Sequence, residues 1–176
     1  MDDVTPIVGK LEPIPLKDLN IRFIPMAKLG RWYDDMSLAN SPHVDLLRQY
    51  IEHGLNWDIL ENGRYAQERR ARRFEFKQEK WSEKWIKKHI KIRIKIYESL
   101  KKTGFVSQGK PVMVLKEPFW KTRYDYPGIE GYEIWNGAGR CAAAHVLGWK
   151  TIPGLWVQDT RPGYKKCEKI EKKFPK

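Results

Sequence analysis

The chain has 176 residues, 41% of them hydrophobic and eight of them tryptophan, which suits one packed domain and excludes wholesale disorder. Its formal net charge of +12 points to anionic partners. No run approaches the ~18 apolar residues of a membrane span, so no membrane partner is expected.

Taken in chain order, the first clear element is a helix. Ser41 reads as its N-cap, Pro42 as its first residue, and Val44, Leu47, Tyr50 and Ile51 as its apolar stripe, with a stop at Gly54. Arg64 to Lys80 is charged and only weakly periodic, so it is either an exposed helix or a mobile insertion. From Trp81 two patterns compete. Trp81, Trp85, Ile86, Ile90, Ile94 and Tyr97 follow helical spacing, while His89 to Ile96 alternates like a strand. Helix is the reading adopted, because the run continues without a turn to Lys102 and Gly104 then ends it. Ile92 and Ile96 would form a second apolar edge open to a partner.

The most informative stretch runs from Glu133 to Val157. Glu133 to Trp135 reads as a strand, and Asn136, Gly137 and Gly139 as a tight turn. Arg140 to Leu147 reads as a short helix stopped at Gly148, and Thr151 to Val157 as a strand with Pro153 near its start. A glycine turn feeding a helix leaves unpaired N–H groups at the positive end of the helix dipole, which is a seat for phosphate. Arg140 adds a planar cation there.

Charge is unevenly spread. Between Asn62 and Lys102 fifteen lysines and arginines face five acids, and from Tyr164 onward six lysines face two glutamates. Concentrated positive charge favours polyanions through counterion release. Arg69, Arg70, Arg72, Arg73, Lys87, Lys88 and Lys91 are the candidate nucleic-acid contacts. A solvated helix face is the plainer alternative. Interleaved aromatics such as Phe74, Trp81 and Trp85 suit either base stacking or a core.

Gly137-Ala138-Gly139-Arg140, followed by Ala142-Ala143, Leu147-Gly148 and Ile152-Pro153, resembles the ParB/sulfiredoxin superfamily. Two further pieces resemble it as well. Tyr97 to Phe105 with Gln108, Pro111 and Val112 to Leu115 is similar to the helix, loop and strand before the family's turn. Ile14 to Leu19 is similar to its opening strand. The resemblance implies an α+β fold with a small mixed sheet packed against helices. Residues 1–160 would form that domain, with a basic helical insertion at about 62–102, and 161–176 a basic tail. It also implies that Gly137, Ala138, Gly139 and Arg140 bind nucleotide phosphates, with Gln108 and Lys110 reaching them from the neighbouring loop.

The departures matter too. Where sulfiredoxins carry a reactive cysteine in the turn, this chain has Ala138, so repair of sulfinic acids is not expected of Cys141. The sequence runs about twenty residues past Val157, so neither the helix-turn-helix nor the dimerisation domain of the partition proteins is expected. Cys141 and Cys167 give no disulfide framework and, with four histidines, no metal spacing. The start, Met1-Asp2-Asp3-Val4, is acidic and has no apolar core. A cytoplasmic protein with no zinc site is the expectation.

Asn136, Glu133 and His43 are the candidate catalytic side chains. Asn136 starts the turn, Glu133 points to or from the seat by strand parity, and His43 lies in the first turn of its helix. Three functions stay open: a nucleotide-dependent phosphotransferase or hydrolase using ATP or CTP with Mg²⁺, a ParB-like nuclease or DNA-modification factor, and a non-catalytic nucleotide-gated nucleic-acid binder. The first is favoured.

Overall fold

A computed structural model describes residues 4–6, 10–21, 37–75, 82–105, 111–116 and 130–159, with the backbone alone at 4–6, 72–75 and 159. The elements in order are β1 (Val4–Pro6), β2 (Glu12–Pro15), a 3₁₀ turn (Leu16–Asp18), β3 (Leu19–Asn20) and a second 3₁₀ turn (Leu38–Asn40). They continue as α1 (Pro42–His53), α2 (Trp57–Asn62), α3 (Arg64–Glu75), α4 (Glu83–Thr103), β4 (Val112–Leu115), β5 (Tyr132–Asn136), α5 (Ala138–Val146) and β6 (Thr151–Asp159). The class is α+β.

The sheet is mixed, in the order β1-β6-β4-β5-β3, with β2 also paired to β6. β4 lies parallel to β6 and antiparallel to β5, and β3 lies parallel to β5. β2 pairs with the first half of β6 and β1 with the last. Strand parity divides the sheet into two faces. Val112, Val114, Ile134 and Ile152 face the main core under α1, α4 and α5, while Leu115 and Val157 anchor a smaller cluster with Met113, Trp135 and Leu155.

Local chemistry explains the helix ends. The Ser41 hydroxyl accepts from Val44 N–H at 3.3 Å and Pro42 occupies the first position of α1, so an N–H with no helical partner is absent there at no loss. Ser82 caps α4 in the same way, accepting from Trp85 N–H at 3.3 Å. The 21-residue α4 runs through the ambiguous stretch. Ile86, Ile90, Ile94, Tyr97 and Leu100 form its buried stripe at three- and four-residue spacing. Isoleucine is a slightly poor helix former, but burying each side chain contributes about 1.5–3 kcal/mol, which outweighs the few tenths lost in propensity.

α4 spans two cores. Tyr97 and Leu100 pack into the core between helices and sheet. Ile86, Ile90 and Ile94 pack with Leu46, Leu60, Tyr65 and Ala66 in an all-helical core made by α1, α2, α3 and α4. The charged segment after Asn62 is therefore helix as far as Glu75, packed at its start, with Tyr65 and Ala66 at 1% and 0% exposure. Two expectations are corrected. Ile14 to Leu19 is not one strand: β2 ends at Pro15, Leu16–Asp18 forms a 3₁₀ turn, and β3 then pairs with β5 rather than β6. Ile96 is no free edge, because it packs against the main core. Phe76 to Trp81, Gln108, Lys110 and the tail from Thr160 lie outside the described residues.

Helix and strand make opposite predictions for α4. Ile90→Ala should cost about 2–5 kcal/mol of unfolding free energy, and Ile92→Ala, on the flank, about 1 kcal/mol or less. Urea unfolding of the two variants checks this, since a strand would put both residues on one face and make their costs alike.

Candidate functional site

The glycine turn is built around one backbone position. Gly137 has φ +97°, in the left-handed region, and forms the N-cap of α5. A side chain there would be strained, and its Cβ would lie 2.9 Å from Val112 Cγ2 and 3.1 Å from Arg140 Nη2. Gly139 is different. It lies inside the first turn of α5, and a Cβ there would come within 2.8 Å of both Cδ and Nη1 of Arg93. So the bare helix start lets a guanidinium from α4 settle against it. The N–H groups of Arg140 and Cys141 already bond Gly137 C=O at 2.9 and 3.0 Å. Among the described residues, those of Ala138 and Gly139 bond no acceptor and remain for a ligand.

These residues line a cavity of about 570 Å³. Pro42 and His43 of α1, Tyr65, Glu68 and Arg69 of α3, Arg93 and Ile96 of α4, and Ile134 to Asn136 of β5 join Gly137 to Arg140 around it, with Ile21 at one side. The volume suits a small organic ligand. The site lies where the two cores meet, so the basic insertion forms one wall and the glycine turn the other.

The electrostatics are one-sided. Arg69, Arg93 and Arg140 reach the cavity, and Glu68 is the one carboxylate lining it among the described residues. Glu68 is already held by Arg64 Nε at 3.1 Å. Burial pushes Arg140 below the usual guanidinium range, and among the described residues no carboxylate offsets it. It stays charged all the same, because arginine does not lose its proton in proteins. His89, next along α4, registers the same field: burial first, then Arg93, Arg69 and Lys88, lower its pKa. Tyr65 is 1% exposed, its ring carries Arg69 at 5.0 Å, and among the described residues its hydroxyl has no hydrogen-bond partner.

The side chains expected to be catalytic fall in different places. His43 is buried at the cavity, edge-on to Tyr65, with Nε2 3.4 Å from Arg69 Nη2. A guanidinium only donates, so Nε2 accepts and the proton belongs on Nδ1. Asn136 lines the cavity, but its Nδ2 donates to Pro111 C=O at 2.9 Å and ties β5 to β4. Glu133 is fully buried in the sheet and does not line the cavity. Cys141 is buried on α5, where burial pushes its thiol up to about 12, so it offers no thiolate at neutral pH.

The residues expected to contact nucleic acid also separate. Arg69 belongs to the cavity rather than to a distinct surface. Arg70 grips both carboxylate oxygens of Glu83 and donates to Glu61 C=O at 2.6 Å. Lys87 pairs with Glu61 at 2.6 Å and lies over Trp57. Arg70 and Lys87 thus hold α2, α3 and α4 together, a structural role beside which they offer less charge to a nucleic acid. Lys88 and Lys91 are exposed, and Arg72 and Arg73 lie on α3. Arg93 was not among the expected site residues. The available signal is that it is the single arginine among the seven lysines from Lys84 to Lys102, a planar fork where every other cation is a point charge.

Comparison with protein-family models, with curated proteins and with solved structures finds no match. The functional reading therefore rests on the chain's own geometry. Among the described residues, no helix is long and apolar enough to cross a membrane.

The two glycines should fail differently. Gly137→Ala should lower stability by about 1–2 kcal/mol from left-handed strain. Gly139→Ala should melt no lower than the parent, since alanine favours a helix by about 1 kcal/mol over glycine. Inorganic triphosphate, the probe for any anion held between Arg93 and the start of α5, should nevertheless bind this variant more weakly, because the new methyl displaces Arg93. Thermal melting and calorimetric titration of both variants check the contrast, and equal behaviour would contradict it.

Proposed function

We propose that the chain binds a nucleoside triphosphate, ATP or CTP, by its phosphates in this cavity, as a ParB/sulfiredoxin-like nucleotide-binding protein. The observation that carries the reading is that Arg69, Arg93 and Arg140 line one cavity with the N-terminus of α5, Arg93 lying against Gly139. Guanidinium forks and free backbone N–H groups are the donors that a polyphosphate needs. Ile21, Pro42, Ile96 and Ile134 line the same space. A ligand with an apolar, flat part beside its charge fits such a mixed wall better than bare phosphate does.

A protein-held Mg²⁺ fits less well. That ion takes one or two carboxylates beside the phosphate oxygens. Glu68 is the single carboxylate at the cavity among the described residues, and Arg64 occupies it. Here the guanidinium groups neutralise the phosphate charge. Donors fixed in advance around a phosphoryl group also stabilise the charge that builds on it during transfer, so phosphotransfer or hydrolysis is the chemistry we assign to the site. His43 stands at the cavity as the group able to handle a proton.

A second reading has its own support. Arg69 and Arg93 lie on α3 and α4, the helices that carry the basic segment. Occupancy of the cavity would bear on both, which suits a nucleotide-gated binder of polyanions.

Calorimetric titration with ATP and CTP tests the site. The parent should bind, and Arg93→Ala and Arg140→Ala should each lose about 1.5–3 kcal/mol, as for a hydrogen bond to a charged group. Arg140→Lys should recover only part, because lysine lacks the fork. Release of phosphate or of a phosphorylated product by the parent, absent in Arg140→Ala, would mark the enzyme. Equal binding by parent and Arg140→Ala would remove the site.

A further inference from the structure

α4 has a third face that neither core nor cavity uses. Lys84, Lys88, Lys91, Lys95 and Lys102 follow one another at helical spacing, and all five are exposed. At 100° per residue they fall within about 60° of arc, and Arg93 lies opposite them. The stripe is about 27 Å long at 1.5 Å per residue. Among the described residues no carboxylate pairs with Lys84, Lys88, Lys95 or Lys102, whereas the neighbouring Lys87 is taken by Glu61. Lys91 leans over Trp57 at 5.4 Å. Glu98, the acid nearest the stripe, lies toward Tyr50 of α1, whose phenol is raised by burial and then by that carboxylate.

We infer that this stripe is a docking surface for the phosphate backbone of a nucleic-acid duplex, bound without regard to sequence. Three features select that partner. The lysines stand in one line along the helix, and a duplex presents one negative charge per about 1.7 Å of its axis, so several phosphates come within reach of them. The cations are all lysines, mobile point charges that suit repeated phosphates and lack the fork that reads a base edge or grips one phosphorylated side chain. The apolar stripe of α4 is packed into the two cores, so the helix has no free apolar face to lay into a lipid surface. The surface is independent of the triphosphate cavity, from which α4 itself separates it.

The test uses the full chain, a 30-base-pair fluorescent DNA duplex and anisotropy from 50 to 200 mM salt. The parent should bind, with log affinity falling linearly in log salt. Lys84→Gln/Lys88→Gln/Lys95→Gln/Lys102→Gln should show a shallower slope by about 0.9 for each lost contact, for every duplex sequence alike. Its melting temperature and its triphosphate affinity should equal the parent's, which separates this surface from the cavity. Should the fourfold variant fold poorly, Lys88→Gln and Lys95→Gln singly should each lower the slope by about 0.9. No duplex binding by the parent at 50 mM salt would overturn the inference. So would an unchanged slope in the variants. Equal or tighter binding to polyglutamate would reassign the stripe to an acidic protein. Binding to phosphatidylserine vesicles but not to duplex would reassign it to a membrane surface.

Discussion

The site depends on one close approach, that of the Arg93 side chain to Gly139. A guanidinium can lie against a helix start only where no Cβ stands in the way. That contact places a cation from α4 beside the positive end of α5, an arrangement that is repulsive by itself. Packing holds it in place. Ile90 and Ile94 on one side of Arg93 and Tyr97 beyond it are buried, so α4 cannot rotate away without exposing them. Like charges forced together by a hydrophobic framework favour whatever anion relieves them, and that is the physical basis of the binding proposed for the cavity.

The same helix explains why the charged insertion belongs to the fold. Its upper half is shared with α1, α2 and α3, and its lower half with the sheet. Arg64, Arg70 and Lys87 clamp the helical half together through Asp45, Glu68, Glu83 and Glu61. For Arg70, hydrogen bonds to Glu83 raise the guanidinium pKa before burial acts against it. Such exposed pairs contribute little singly, about 0–1 kcal/mol each. They matter more here as spacers, setting α3 where Arg69 meets His43 and the cavity.

Much of this was legible in the residues. Ser41, Pro42 and Gly54 bound α1 as caps should, and the spacing of Ile86, Ile90 and Ile94 outweighed the alternation of His89 to Ile96. The turn at Gly137 and the strands on either side of α5 followed from local backbone chemistry. What escaped is tertiary. Nothing local in Arg69 or Arg93 says that they end near Arg140, which is 71 and 47 positions away. Composition cannot separate a lysine held by Glu61 from one left in solvent, so the charged segment read as one surface when it is three: a clamp, a cavity wall and an open stripe. The opening strand broke after Pro15 because Leu16–Asp18 coils into a 3₁₀ turn that carries the chain from β6 to β5, a change of partner that no local pattern announces.

Three arginines, from three helices, are proposed to share one ligand. Arginine side-chain ¹⁵N NMR of the chain titrated with ATP or CTP examines this directly. The Nε–H signals of Arg69, Arg93 and Arg140 should move together along a single isotherm, while that of Arg70, locked to Glu83, stays still. Movement of Arg140 alone, or of Arg70 along with the others, would contradict a common cavity site.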